Sequence, residues 1–315
     1  MRSAPLGRYE MSGYPAAARA ARTRIQGLST ERFHKGVGWV GADSLELRGD
    51  IGGDGAAPTV VLLHGGGQTR HSWSSAMDAL LGVGYRVINF DARGHGESGW
   101  SNIGDYSLEA HARDLLAVIA DEASPVILVG ASLGGATAIK AVTLGFAPAA
   151  LVLVDIVPKP DRRGVQRIRQ FMLGYPDGFG AVEEAAEAIA NYNPHRPRVT
   201  DSSGLMKNLR RRSNGRLYWH WDPRILGDPE RQIAEFEDTV DALKRARDLP
   251  VQLVRGGESD VVSDSGVDDL RDALPQLEVF DVAGAGHMVA GDRNDAFNSG
   301  VLDFLLRTVP PSARQ

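Results

Sequence analysis

The chain has 315 residues, of which 43% are hydrophobic and 24% are charged, and its formal net charge at pH 7 is −5. This is the composition of a globular protein with room for one large domain or two small ones, and the negative balance gives no electrostatic reason to expect nucleic acid as a partner. The absence of cysteine excludes disulfides, thiolate metal sites and cysteine nucleophiles. No apolar run approaches the length of a membrane span, so we expect a cytoplasmic protein with no membrane partner.

Residues 1–34 form an arginine-rich N-terminal extension. They lack the apolar core of a secretion signal. The same charge bias occurs in organelle-targeting extensions and in the loose leaders of arginine-rich bacterial chains. We favour the leader and expect weak order near the terminus.

Six short apolar runs follow and predict the strands of a parallel sheet. They are rich in consecutive Val, Ile and Leu, as in strands that are covered on both faces. Their positions are 59–64, 86–91, 125–130, 150–155, 250–256 and 277–282. Two earlier segments, 38–40 and 45–49, predict a leading hairpin. Helical patterns lie between the runs, so we expect an α/β fold with helices on both faces of the sheet.

The alternation of strand and helix stops after residue 155. Residues 157–231 contain no convincing strand and several helical patterns, which predicts a helical cap inserted into an α/β core formed by residues 35–156 and 232–315. The cap segment carries 14 Lys and Arg against 9 Asp and Glu, a net charge of +5. One hypothesis is that this charge favours anionic substrates; the alternative is a solvated basic helix face.

A glycine-rich turn follows the run at 125–130. The residues from Gly130 to Gly134 fit the pattern G-x-S-x-G between a strand and a helix. In that context Ser132 projects its hydroxyl at the carboxyl edge of the sheet, and the N–H of Leu133 points to the same place at a helix N-terminus. The alternative is a close contact between strand and helix with Ser132 as a capping residue.

A reactive serine needs a base, and the base needs an orienting acid. His287 follows the last predicted strand and Asp260 follows the strand at 250–256, so Ser132, Asp260 and His287 occur in the chain order Ser, Asp, His. We predict Asp260 as the acid because it lies a short loop beyond its strand. Other carboxylates compete for this position: Asp155, Glu258 and Asp264.

Backbone donors for an oxyanion are predicted in the loop HGGG at 64–67. Glycines there allow a backbone N–H to approach a substrate closely. We predict Gly66 and Leu133 as the donor pair, with His64 supporting the loop. A phosphate-binding loop is the alternative, but Gly-Lys-Ser/Thr is absent.

Aromatic side chains provide candidates for the wall of an apolar pocket, but we expect more of them to pack in the core of the cap than to contact a substrate. The pocket candidates are Gly67, Trp73, Trp100, Tyr175 and Trp219, and further aromatic candidates are Phe171, Tyr192, Tyr218 and Trp221.

Five motifs together resemble the α/β-hydrolase fold superfamily, particularly its bacterial members with a helical cap. They are HGGG at 64–67, DARGHGES at 91–98, GASLGG at 130–135, SD at 259–260 and GAGH at 284–287. The resemblance implies a mainly parallel eight-stranded sheet with an α-helical cap between its sixth and seventh strands. It also implies an acid at the SD step and a structural turn at 91–98, in which we assign no chemistry to Asp91 or His95.

Serine at the nucleophile position suits attack on acyl carbon, whereas look-alikes that attack sp³ carbon use a carboxylate there. We therefore expect a serine hydrolase that cleaves a carboxylic ester, thioester or lactone through an acyl-enzyme. Its partner would be a small, apolar acyl substrate, and no cofactor or metal ion is required. The alternatives on this scaffold are a cofactor-free perhydrolase of the haloperoxidase type, a carbon–carbon bond hydrolase and a non-catalytic ligand receptor.

Overall fold

The computed structural model describes residues 33–194, 202–289 and 294–311. The prediction for the N-terminal extension therefore lies outside the described residues, except for its last two positions, which begin the first strand.

A central sheet organises the molecule. The strands of the described residues are β1 (Phe33–Val40), β2 (Glu46–Gly52), β3 (Thr59–Leu63), β4 (Arg86–Phe90), β5 (Val126–Ala131), β6 (Ala150–Val154), β7 (Leu209–Arg211), β8 (Leu217–Trp219), β9 (Val251–Gly256) and β10 (Glu278–Val282). Eight of these strands form one sheet in the order β1-β2-β4-β3-β5-β6-β9-β10. β1 and β2 are antiparallel to each other, β2 is antiparallel to β4, and the remaining pairs are parallel. The predicted eight-stranded, mostly parallel sheet with its leading hairpin is confirmed.

Helices cover both faces of this sheet. They are α1 (Ser74–Gly82), α2 (Leu108–Val118), α3 (Leu133–Thr143), α4 (Arg162–Leu173), α5 (Val182–Tyr192), α6 (Pro229–Leu243), α7 (Asp264–Ala273) and α8 (Asn294–Thr308). Successive side chains of a strand point to opposite faces, and β3 shows the result: Val61 packs with α2, α3, α6 and α7, while Val60 packs with α1 and α8. Within the described ranges, none of the helices is long and apolar enough to cross a bilayer.

The insertion between β6 and β9 is the segment that the sequence predicts as a cap. It contains α4, α5 and the antiparallel pair of β7 and β8. The sequence interpretation that this segment has no strand is therefore wrong. Each of the two strands is only three residues long, which is too short for a period of two to be visible in the sequence.

The predicted boundary between residues 231 and 232 falls inside α6. This helix begins at Pro229, and its residues Phe236, Val240 and Leu243 are buried in the same apolar cluster as residues of α3. One helix therefore connects the cap to the core.

Candidate active site

Ser132 lies in a strained turn between β5 and α3. Its φ of 47° and ψ of −113° are unusual for a residue with a side chain, and strain of this kind is common at functional sites. The neighbouring glycines make the turn possible, because a Cβ at Gly134 would lie 2.2 Å from the carbonyl oxygen of Leu63 and one at Gly130 would lie 2.4 Å from the carbonyl carbon of Gly134. Strand, turn and helix therefore approach too closely for any other residue at those two positions.

A cavity of about 1110 Å³ separates this turn from the cap. Its walls include Ser132, Asp155 and His287 from the core and Trp219 from the cap. Ser132 and His287, which the sequence predicts at one site, therefore both line this cavity beneath the inserted segment.

His287 is held by Asp155. Its Nδ1 lies 2.7 Å from Oδ2 of Asp155, and the Asp155 side chain is 1% exposed. The same carboxylate accepts the Ser259 hydroxyl at 2.5 Å and the Gly256 N–H at 2.9 Å, which fixes its orientation. A carboxylate at Nδ1 favours the imidazole tautomer that carries its N–H there, and in that tautomer Nε2 is the acceptor nitrogen.

Asp260 does not contact His287, so the prediction that its carboxylate orients this ring is wrong; the carboxylate at Nδ1 of His287 is that of Asp155. The Asp260 carboxylate instead forms an ion pair with Arg167 of α4 at 3.0 Å, and the two side chains are 35% and 51% exposed. Its carbonyl oxygen also packs against Gly164 of that helix, where a Cβ would lie 2.2 Å away.

The physical reason is the position of β6 in the sheet. β6 is the direct neighbour of β5, so the residue that follows β6 lies beside the turn that carries Ser132. Asp155 occupies this place with a φ of 50°, and its N–H donates to Val254 of β9. Of the SD step, Ser259 contacts the acid and Asp260 faces α4.

Three buried histidines hold the glycine loop after β3. His64 donates from Nδ1 to the Gly65 carbonyl at 2.9 Å and accepts the Ala92 N–H at 2.9 Å, as expected for a supporting residue. His95 accepts the Gly67 N–H at 3.1 Å. His220 accepts the Gly96 N–H at 2.7 Å, and its other ring nitrogen lies 3.3 Å from the Gly67 carbonyl.

These histidines are neutral. A ring nitrogen that accepts a backbone N–H carries no proton. Burial lowers the pKa of His95 to about 3 and holds the pKa values of His64 and His220 below their usual range. His220 belongs to the cap, directly after β8. This role could not be predicted from the sequence, because nothing in the local pattern around His220 marks a contact with a loop more than 150 positions away.

The loop leaves one backbone donor available on the cavity side. The Gly65 N–H donates to Gln68 Oε1 at 3.1 Å and the Gly67 N–H donates to His95. Within the described part of the chain, no hydrogen bond engages the N–H of Gly66 or Leu133, and both residues line the cavity with Ser132. This placement suits the predicted pair of oxyanion donors.

The pocket candidates divide into two groups. Gly67 and Trp219 line the cavity, together with Phe171, Tyr192 and Trp221. The other candidates do not, and their prediction as pocket residues is wrong: Trp73, Trp100, Tyr175 and Tyr218.

Each of these four side chains has another environment. Trp73 is 1% exposed and packs on Phe297 in the cluster beneath α1 and α8. The Arg210 guanidinium lies 5.2 Å from the ring centre of Trp100, Tyr175 is 45% exposed, and the guanidinium of Arg212 lies over the Tyr218 ring. Tyr218 and Trp219 are adjacent in one strand, so the pleat directs only one of them at the cavity.

The basic residues of the cap do not create a positive cavity. Arg210 donates to backbone carbonyls of the turn at 91–98, and Arg211 donates to the Gly215 carbonyl. The acids and bases among the described residues that line the cavity are Asp155, Glu183, Glu187 and Glu235 against Arg169 and Lys207. No group of three His, Asp or Glu side chains in those same stretches of chain has a metal-binding arrangement.

Comparisons with known proteins agree with this architecture. The model of the alpha/beta hydrolase family matches residues 60–299. The esterase Rv0045c of Mycobacterium tuberculosis is 35% identical over 267 residues, which cover 79% of this chain and 84% of that protein. A crystal structure of Rv0045c matches with a TM-score of 0.64 at 31% identity, covering 83% of this chain and 89% of that one.

An alpha/beta hydrolase of Novosphingobium aromaticivorans matches with a TM-score of 0.71 at 23% identity, covering 89% of this chain and all of that one, which establishes likeness of fold alone. The family match spans most of the described core, including Ser132, Asp155 and His287. The chain therefore belongs to the alpha/beta hydrolase family.

Proposed function

We propose that this protein is a serine hydrolase that cleaves carboxylic esters through an acyl-enzyme. Ser132 is the nucleophile, His287 the general base and Asp155 the orienting acid. The observation that carries the proposal is the 2.7 Å hydrogen bond between His287 and the buried Asp155. Both residues line the cavity that the strained Ser132 also lines. The similarity to a bacterial esterase over four fifths of the chain supports an ester as the substrate.

The reaction begins when Nε2 of His287 takes the proton of the Ser132 hydroxyl as its oxygen attacks the acyl carbon. The carbonyl oxygen becomes an oxyanion, which receives hydrogen bonds from the N–H groups of Gly66 and Leu133. These donors are fixed before the reaction, so they stabilise the developing charge with little reorganisation. The alcohol leaves with the proton that His287 returns.

Water completes the cycle. His287 removes a proton from a water molecule that attacks the acyl carbon, the second oxyanion collapses, and the Ser132 oxygen regains a proton as the carboxylic acid leaves. Throughout, Asp155 holds the Nδ1–H tautomer and stabilises the imidazolium. Ser259 and Gly256 keep the carboxylate in place for this role.

A fluorophosphonate probe tests the assignment of the nucleophile. The probe should label the native protein at Ser132 and leave Ser132→Ala unlabelled, and the variant should lose several orders of magnitude in kcat because triad residues act as a unit. Ser72→Ala is the matched control, since Ser72 also lines the cavity but its hydroxyl donates to the Thr69 carbonyl; this variant should still be labelled. Equal labelling of Ser132→Ala would place the nucleophile elsewhere.

Product analysis separates the alternatives on the same scaffold. Ester turnover that yields acid and alcohol without peroxide supports hydrolysis. Peracid formation as the main reaction when peroxide is added would support a perhydrolase. Stabilisation of the fold by esters without any turnover would support a receptor.

A further inference from the structure

One wall of the cavity is apolar. Leu108 of α2, Ala136 of α3, Val157 and Phe236 of α6 line the cavity and belong to one cluster of packed side chains. A wall of this kind suits an apolar chain, because contact with it removes apolar surface from water.

His111 of α2 interrupts this wall. The residue is 3% exposed and lines the cavity. Its ring nitrogens make no hydrogen bond or ion pair with any residue of the described stretches. Because α2 packs on α3 and His111 borders a small void with Leu133 and Gly134, the ring lies beside the first turn of the helix that follows Ser132.

The imidazole of His111 is neutral. Burial, with the nearby His95, Arg93 and His64, lowers the pKa of His111 well below its usual range. A neutral imidazole has one N–H donor and one acceptor nitrogen, and neither has a protein partner among the described residues. The cavity is the side from which a ligand can supply that partner.

Tyr106 also lines the cavity, but its hydroxyl is already engaged. Its hydroxyl accepts the Ser101 N–H at 2.9 Å and donates to the Asp222 carboxylate at 2.6 Å. A polar atom of a ligand on this wall would therefore meet His111, where hydrogen-bonding capacity remains, and not Tyr106.

We propose that His111 is a specificity-determining residue that binds a hydroxyl or oxo oxygen on the chain of the ester substrate. The acceptor nitrogen accepts a hydrogen bond from a hydroxyl of the substrate, or the ring N–H donates to a ketone oxygen. The rest of the substrate chain lies along the apolar wall. The substrate class is thus an ester with an uncharged oxygen function away from the scissile group. This inference rests on the proposed ester hydrolysis.

The test uses p-nitrophenyl esters of straight-chain acids that carry a hydroxyl or oxo group at successive carbons. Each is compared with the unsubstituted ester of the same length. A second series carries the hydroxyl or oxo group on the alcohol side of matching alkyl esters. At the best position, His111→Leu should lower the ratio of kcat/KM for the substituted and plain esters by about tenfold, as expected for a lost hydrogen bond at a buried site. His111→Gln keeps a donor and an acceptor and should retain part of the preference. Tyr106→Phe is the matched control, and it should leave the ratio within about twofold because that hydroxyl bonds to protein groups.

A ratio that is the same in the native protein and His111→Leu at every position of the oxygen overturns the proposal, provided that circular dichroism shows both proteins folded. If His111→Leu does not fold, His111→Phe, which also removes both ring nitrogens, replaces it in the same comparison.

Binding to Ser132→Ala separates this outcome from failure of the proposed hydrolysis. Calorimetric titration of that variant with the substituted and plain esters should show tighter binding of the substituted ester, and adding His111→Leu should remove the difference. Such a result supports the subsite even if the native protein turns over neither ester. The absence of any preference, or of any binding, overturns the subsite.

Discussion

Replacement of Asp155 by asparagine tests the corrected assignment of the acid. In the structure its carboxylate accepts three hydrogen bonds, from His287, Ser259 and the Gly256 N–H. The single side-chain oxygen of an asparagine can accept only some of these three hydrogen bonds. Its NH₂ group then lies against Nδ1 of the imidazole. The imidazole is thereby driven to the tautomer that carries its proton on Nε2, which cannot accept the proton of Ser132.

The expected loss is large. A wrong tautomer at this position lowers kcat by about 10³–10⁴-fold, which corresponds to about 4–5.5 kcal/mol in the activation barrier. Asp260→Asn is the matched comparison. It removes a partly exposed ion pair with Arg167, and such pairs contribute about 0–1 kcal/mol, so kcat should change by no more than about fivefold.

The assay is steady-state hydrolysis of one ester by both variants, after circular dichroism and urea unfolding show that each is folded. KM should change less than kcat for Asp155→Asn, because the carboxylate acts on the base and not on the bound substrate. A larger loss for Asp260→Asn than for Asp155→Asn would refute the reasoning and return the acid to the SD step.

Three further outcomes are expected. As the pH falls from 7 to 5, His95 should reduce the free energy of unfolding by about 2 kcal/mol, because its pKa is about 3 in the folded protein and near the ordinary 6.5 in the unfolded chain. Stability falls because the unfolded chain takes up the proton and the folded protein does not. Urea unfolding of His95→Asn should show a shallower dependence of stability on pH, and an unchanged dependence would contradict the assignment. Gly134→Ala should lower the free energy of unfolding by at least about 2 kcal/mol, since its Cβ would lie 2.2 Å from a backbone oxygen, whereas Gly82→Ala, with no atom within 4 Å of the new Cβ, should stay within about 0.5 kcal/mol of the native protein. Matched neutral and carboxylate-bearing esters should show no preference for the anionic one at any salt concentration, because Arg210 and Arg211 bind backbone carbonyls; a preference that salt suppresses would restore the hypothesis of a basic cap.

The sheet was predictable because its signals are local. A strand that is buried on both faces needs consecutive apolar residues, as in β3 and β5, and these residues can be identified without knowledge of what covers them. The turn at Ser132 was predictable for a related reason. The close approach of β3, β5 and α3 admits only hydrogen at Gly130 and Gly134, so the constraint is written in the sequence as glycine.

The pair of β7 and β8 shows the opposite case. Each strand has only three residues, and packing within the cap stabilises the pair. Leu209, Leu217 and Trp219 pack with Phe179 and neighbouring aromatic rings. Tertiary packing of this kind overrides local propensity. The sequence of the segment therefore indicated an insertion and its helices but not the hairpin.

The acid was predicted wrongly because two carboxylates satisfy the same local description. Asp155 and Asp260 each follow a strand of the parallel sheet, so distance along the chain cannot distinguish them. The choice depends on the order of strands, which places the end of β6 beside the end of β5. It also depends on the end of β9 and the loop that follows, because the Gly256 N–H and the Ser259 hydroxyl both donate to Asp155.

The same order of strands explains why the cap matters to the proposed chemistry. The insertion leaves the sheet directly after Asp155 and returns through α6, which packs on the helix that begins after Ser132. On its way it places His220 against the Gly67 carbonyl, and His95 holds the N–H of that glycine from the core. The two peptide groups that flank Gly67 therefore have one contact from the core and one from the cap, whereas the Gly66 N–H shares its peptide group with the Gly65 carbonyl that His64 holds. A change in how the cap sits on the core would therefore alter the loop next to the proposed donor Gly66 as well as the walls of the cavity.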